Sequence, residues 1–265
     1  MNNTAGRVLS KWINAGIAAT FMIGLGATEM ALSDPIGKRN VMSPPISSKS
    51  NSKVLNEAQQ AVVVVAALAA VGDAPRLKTA LDQALDLKLT VSELREVLVQ
   101  LYAYAGFPRS LNALTELMQV LDSRKQRGIF DDPGREPIRP IPQGDALLAA
   151  GTANQTKLSG SPVEGALFDF APIANQYLRT HLFGDIFERD TLDWKTRELA
   201  TVGMLSALAG VEPQLQAHMR ISTNTGVTIS QLRHLCQTLS DRVDTQPGDR
   251  AANALEKHVA STDKG

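Results

Sequence analysis

Glu198 and His218 are the residues whose types and spacing point most directly to chemistry. Glu198 stands in the run TRELATV and His218 in QAHMR, with Gly210 and Pro213 marking a short turn between two helical stretches. Helices joined by a tight turn pack antiparallel, so side chains on their facing sides come within hydrogen-bond reach. A histidine changes charge near neutral pH, and a neighbouring carboxylate fixes which ring nitrogen carries the proton. Such a pair can deliver a proton. Arg197 and Arg220 flank it in sequence and can hold a carboxylate ligand through bidentate hydrogen bonds. The same four residues also fit a blander reading, a buried structural pair with solvated arginines.

Other chemistries find less support. Cys236 is the single cysteine, so an intramolecular disulfide and any Cys-x-x-Cys motif are excluded, and its apolar surroundings suit a small core residue. His181, His234 and His258 read as exposed or locally capped. Neither a His-x-x-His or acidic cluster with metal-ligand spacing nor a glycine-rich phosphate loop is present, so no metal and no cofactor are expected. Lys+Arg and Asp+Glu are equal at 27 each, which gives no net field for nucleic acid or an anionic membrane.

The elements that must position the pair are helical. Of the 265 residues, 43% are hydrophobic and only 5% aromatic, with Gly and Pro gathered between apolar runs, as suits helices packed through Leu, Val and Ala. Asn56 caps a first run, QQAVVVVAALAAV, whose length and Ala/Leu continuation favour a buried helix over a strand. Leu77, Leu81 and Leu85 follow at helical spacing, then a capping box opens at Thr90 and Glu93. Pro108 begins a further helix that ends at Gly128.

This order recurs. A second capping box starts at Thr228, 138 residues after Thr90, and Pro213 stands 138 residues after Pro75. Leu192 follows Leu55 by 137, one residue fewer. The chain is therefore an internal duplication, and the expected fold is all-α with two tandem helical domains, each long enough to bury a core. At these offsets the first copy has Ala61 and Ala80 where the second has Glu198 and His218. The expected boundaries are an export signal over 1–33, a flexible linker over 34–53, and a first domain over 54–130. An interdomain connection over 131–160, a second domain over 161–248 and a C-terminal helix or tail over 249–265 complete them. Arg7 and Lys11 before a short apolar stretch, with Ala31 and Ser33 ahead of Asp34, carry the export reading, and an uncleaved anchor or amphipathic tail is its alternative.

At these residues the chain resembles the carboxymuconolactone decarboxylase family, which shares the all-helical fold of alkylhydroperoxidase D. The matching segments are LFGDIFERDTLD and LDWKTRELATVGMLSALAGVEPQLQAHMRISTNTGVT in the second copy and LTVSELREVLVQLYAYAGFPRSLNAL in the first. The resemblance implies two chemistries. The peroxidase branch uses a Cys-x-x-Cys pair four residues before a histidine, and the matching positions here are Val211 and Gln214, so that redox cycle has no thiols. The decarboxylase branch keeps the glutamate and histidine without the cysteines, as this chain does.

The resemblance thus implies cofactor-free decarboxylation, or related lactone chemistry, on a small carboxylate or lactone. His218 would donate the proton, Glu198 would support it, and Arg197 or Arg220 would anchor the anion. Single-copy relatives carry the YAGFP segment in the same unit as the histidine, whereas here it survives only in the first copy. A composite site is therefore expected, with Tyr104, Phe107 and Pro108 forming a wall opposite the pair. The resemblance also implies a homo-oligomer, a trimer if three duplicated chains replace a ring of six. The expected location is exported, periplasmic or secreted, with no membrane contact once the signal is removed. The rival readings are a non-catalytic ligand-binding or assembly protein and a peroxidase-type oxidoreductase.

Overall fold

The computed structural model describes residues 53–262, so the expected export segment and nearly all of the expected linker lie outside it. The first copy comprises α1 (Glu57–Val71), α2 (Ala74–Asp86), α3 (Val91–Gln100) and α4 (Tyr102–Gln126). The connecting region carries α5 (Gly144–Ser159), α6 (Ala166–Phe170) and α7 (Pro172–Tyr177), the last running on as a π-helix over Leu178–Ile186. The second copy comprises α8 (Trp194–Ala207), α9 (Glu212–Asn224), α10 (Ile229–Arg242) and α11 (Thr245–Thr262). The described residues form no strand, and none of their helices is long and apolar enough to cross a membrane.

Local chemistry explains the helix ends. Asn56, Thr90 and Thr228 each close a capping box, with Gln59, Glu93 and Gln231 returning the bond to the cap backbone. Gly72 ends α1 in the left-handed conformation that a glycine adopts without steric penalty. The four consecutive valines are helical because α1 is buried all round, which removes any call for amphipathic alternation.

Its partner is α8, buried from Thr196 to Ala207. A Cβ on Gly203 would lie 2.8 Å from the carbonyl oxygen of Val63, so the missing side chain lets α1 and α8 touch backbone to backbone. Neither helix has a polar face to offer solvent. The tandem copies consequently share one hydrophobic core, from Leu55 to Leu255, rather than burying one each.

Two boundaries shift. The connection over 131–160 contains a 16-residue helix, α5, whose Gly151 meets the Arg179 carbonyl of the π-helix so closely that a Cβ would stand 1.8 Å away. The second copy does not stop at 248, because α11 is the counterpart of α4. Three extra residues before α11 move the register to 141, which pairs Arg109, Asn112, Ala113 and Leu114 with Arg250, Asn253, Ala254 and Leu255. Structure bears the register out. Arg109 lies beside Gly72 at the end of α1, and Arg250 donates to the Ser206 and Ala207 carbonyls at the end of α8.

Candidate functional site

Asp193 caps α8 by accepting the Thr196 amide at 2.7 Å, which sets Arg197 and Glu198 in the first turn of a buried helix. The turn at Gly210, in the left-handed region, sends α9 back alongside α8. His218 Nδ1 and Glu198 Oε2 thereby meet at 2.7 Å, with Glu198 0% and His218 7% exposed. With the carboxylate as acceptor, Nδ1 carries a proton and Nε2 faces away from Glu198, free to give or take one. The expectation that α8 and α9 bring the pair together holds.

Tyr104 completes a composite arrangement. Its ring stands edge-on to the His218 ring, 5.6 Å between centroids at 79°. It packs both on the main core and on a smaller cluster of Leu158, Leu182, Phe183, Ile186, Phe187 and Ile221, so it lies where the two meet. Burial, reinforced by the negative charge of Glu198, pushes its phenol far above the ordinary tyrosine range and keeps it neutral. Thr201, the hydroxyl disposed toward it, already donates to the Arg197 carbonyl at 2.9 Å and accepts from Gln100 at 2.7 Å.

Four buried polar atoms of this region have no hydrogen-bond partner within the fold: Tyr104 Oη, Arg197 Nε, Glu198 Oε1 and Ser222 Oγ, the last one helical turn beyond His218. Orphaned groups of this kind cost stability and call for an explanation. A water, or a ligand that offers a donor to Glu198 Oε1 and acceptors to the others, would satisfy them.

The other expected site residues are placed elsewhere. Arg197 is fully buried, but its guanidinium turns to the first copy, donating to Glu96 Oε2 at 3.0 Å, Gln100 Oε1 at 3.1 Å and the Arg189 carbonyl at 3.0 Å. Both terminal nitrogens are engaged and Nε alone is left without a partner, so it is a structural cation rather than an open bidentate anchor. Arg220 is exposed, and its charge falls on His258. Two residues along a helix lead round to the far side, which is why adjacency to His218 did not bring it in. Phe107 and Pro108 are also outside. Gly106, at φ 82 and ψ 160, breaks α4, leaving Tyr104 inward while Phe107 stacks on Tyr102 at 4.5 Å and stays 61% exposed.

Among the other histidines, His181 is exposed and pairs with Asp185, and His234 Nδ1 accepts the Leu55 amide at 3.0 Å. His258 was expected to be exposed or locally capped, and it is buried, because it occupies the core-facing position on α11 that Leu117 holds on α4. Glu96 and Gln100 went unnoticed in the sequence, although their spacing of one helical turn on α3 was the available signal.

Fold and site define a class: an all-helical tandem repeat with one buried carboxylate–imidazole pair, supplied by the second copy and faced by a tyrosine of the first. The model of the carboxymuconolactone decarboxylase family matches residues 49–118 and 172–256, more than half of the chain, and the protein belongs to that family. The first matched region reaches into α4 of the first copy, and the second runs from α7 and the π-helix into α11 of the second copy. No curated protein matches the chain.

Proposed function

We propose that the protein is a cofactor-free enzyme that decarboxylates, or performs related lactone chemistry on, a small carboxylate outside the cytoplasm. The supporting observation is the buried His218–Glu198 pair beside polar atoms that the fold leaves unpartnered. In the decarboxylation, the bond from ring carbon to carboxylate carbon breaks and carbon dioxide leaves. The electron pair it leaves behind spreads into the conjugated lactone. The protonated imidazole of His218 then gives its Nε2 proton to carbon and regains one from solvent, while Glu198 holds the ring in orientation and offsets its positive charge. Tyr104, locked neutral, supplies a donor for the lactone or carboxylate oxygen. Neither Arg197 nor Arg220 is assigned as the anchor.

Carbon dioxide release from carboxymuconolactone tests the reading. His218→Ala is expected to lower it by about 100- to 10,000-fold while the helical circular dichroism is unchanged. Equal turnover in the variant would overturn the assignment. A buried pair of this kind also suits a non-catalytic binding protein, and that reading would show itself as saturable binding of the lactone with no turnover by the wild type.

A further inference from the structure

The connecting region holds a cavity of its own. Glu164, Gly165, Phe168, Asp169, Asn175 and Arg179 line a space of about 620 Å³ where α6 turns into α7 and the π-helix begins, room for a small organic molecule. Two of these side chains are left unsatisfied by the fold. Arg179 Nε and Asn175 Oδ1 are shut off from solvent without a hydrogen-bond partner, and neither side chain makes any hydrogen bond or ion pair among the described residues. The terminal nitrogens of Arg179 remain open. Exchanging Oδ1 and Nδ2 of Asn175 breaks no bond, so its open atom can be the oxygen. The arginine is also held from behind: its carbonyl lies so close to Gly151 of α5 that a Cβ there would stand 1.8 Å away. It sits at the start of a π-helical segment, a rare conformation that occurs mostly at functional sites.

The charges around the cavity define what fits. Glu164 and Asp169 are exposed and enter no ion pair among the described residues, so a bare anion drawn to Arg179 meets their repulsion. A bare cation suits the carboxylates but leaves the guanidinium without an acceptor. A ligand carrying both charges satisfies all of them. Asn175 and Arg179 stand four residues apart, about one helical turn, so the two ligand charges must be close together. A free amino acid bears its carboxylate and ammonium on one carbon, whereas a peptide holds them at opposite ends. We propose that this cavity binds a free α-amino acid with an apolar side chain. Arg179 takes the carboxylate, the Asn175 amide oxygen with Glu164 or Asp169 takes the ammonium, and the half-buried Phe168 ring faces the side chain. Neither member of the His218 pair lines the cavity, so this inference stands apart from the enzymatic reading.

Titration calorimetry on the full-length chain tests the site with three probes: L-phenylalanine, its amide, which lacks the carboxylate, and 3-phenylpropionate, which lacks the ammonium. L-Phenylalanine is expected to bind saturably, and each analogue about tenfold more weakly. Arg179→Gln is expected to weaken L-phenylalanine by about the same factor, and Asn175→Ala replaces it if Arg179→Gln loses helical circular dichroism. Glu164→Gln with Asp169→Asn is expected to weaken L-phenylalanine while strengthening 3-phenylpropionate. His218→Ala is expected to bind L-phenylalanine as the wild type does. No binding of L-phenylalanine, or equal binding of either analogue, would overturn the proposal. So would wild-type affinity in a folded Arg179→Gln. Loss of binding in His218→Ala would place the ligand at the acid/base pair instead.

Discussion

Glu96 of the first copy and Arg197 of the second meet in a 3.0 Å ion pair closed to solvent on both sides, one residue before Glu198. Glu96 also takes three hydrogen bonds from Arg189, and Gln100 holds the Arg197 carbonyl at 3.0 Å. The helix carrying Glu198, the carboxylate of the acid/base pair, is therefore fixed by Glu96 and Gln100 of the copy that lacks such a pair. Removing one member of a buried pair strands its partner's charge in the core. Glu96→Ala is expected to cost about 3–5 kcal/mol in urea unfolding, and a loss within about 1 kcal/mol, the scale of a surface pair, would refute this role.

The same pair makes stability depend on pH with a definite sign. Burial opposes ionisation of Glu96, but the hydrogen bonds and charges of Arg189 and Arg197 prevail and hold its carboxyl below the usual glutamate range. A carboxyl depressed in the folded state stabilises fully above its unfolded value of about 4.3 and loses that contribution as pH falls through the folded value. Thermal melts of the wild type are expected to weaken below about pH 4.3, and Glu96→Gln, which cannot titrate, to show a shallower acid limb. Parallel acid limbs would contradict the assignment.

Tyr104→Phe separates function from packing. The hydroxyl has no partner in the fold, so deleting it removes a desolvated group without breaking a bond, and the ring's contact with His218 is kept. Unfolding free energy is expected to hold steady or rise within about 1 kcal/mol, while turnover of the lactone falls. A variant destabilised by more than that, with activity intact, would show that the hydroxyl serves the fold instead.

Much of the architecture was legible because it rests on local rules. Capping boxes at Thr90 and Thr228 and the shared spacing of helix, turn and helix announced the duplication, and with it the facing of Glu198 and His218. What escaped the sequence was tertiary. Arg197 lies next to Glu198 in the chain, but its direction was decided by Glu96 and Gln100, about a hundred residues earlier. Gly106 split the YAGFP segment through its left-handed backbone, separating Tyr104 from Phe107, a division no hydrophobic pattern records. The register of α11 was hidden by a three-residue insertion, and the burial of His258 with it.

Cys236 bears on the peroxidase alternative. Burial pushes its thiol up to about 12, so the thiolate that such chemistry needs is scarce at neutral pH. A chromogenic disulfide reagent at pH 8 is expected to react far more slowly with the folded protein than with the protein in denaturant. Hydroperoxide consumption is expected to be absent, and unchanged by Cys236→Ala. Rapid labelling of the folded chain would remove the physical ground for that expectation.

Gly203 links the shared core to the site. The atom facing it is the Val63 carbonyl, part of a buried helix backbone that cannot swing aside as a side chain would. Gly203→Ala gains helix propensity of about 1 kcal/mol, yet it must push α8 away from α1 to relieve a 2.8 Å contact. Overpacking of this sort costs about 1–3 kcal/mol, so the net change is expected to be destabilising despite the better helix former. Glu198 lies little more than one turn upstream on the same helix, so the displacement is also expected to disturb its 2.7 Å contact with His218 and lower turnover. A stabilised variant in urea unfolding would mean that α1 and α8 are less tightly apposed than the geometry requires.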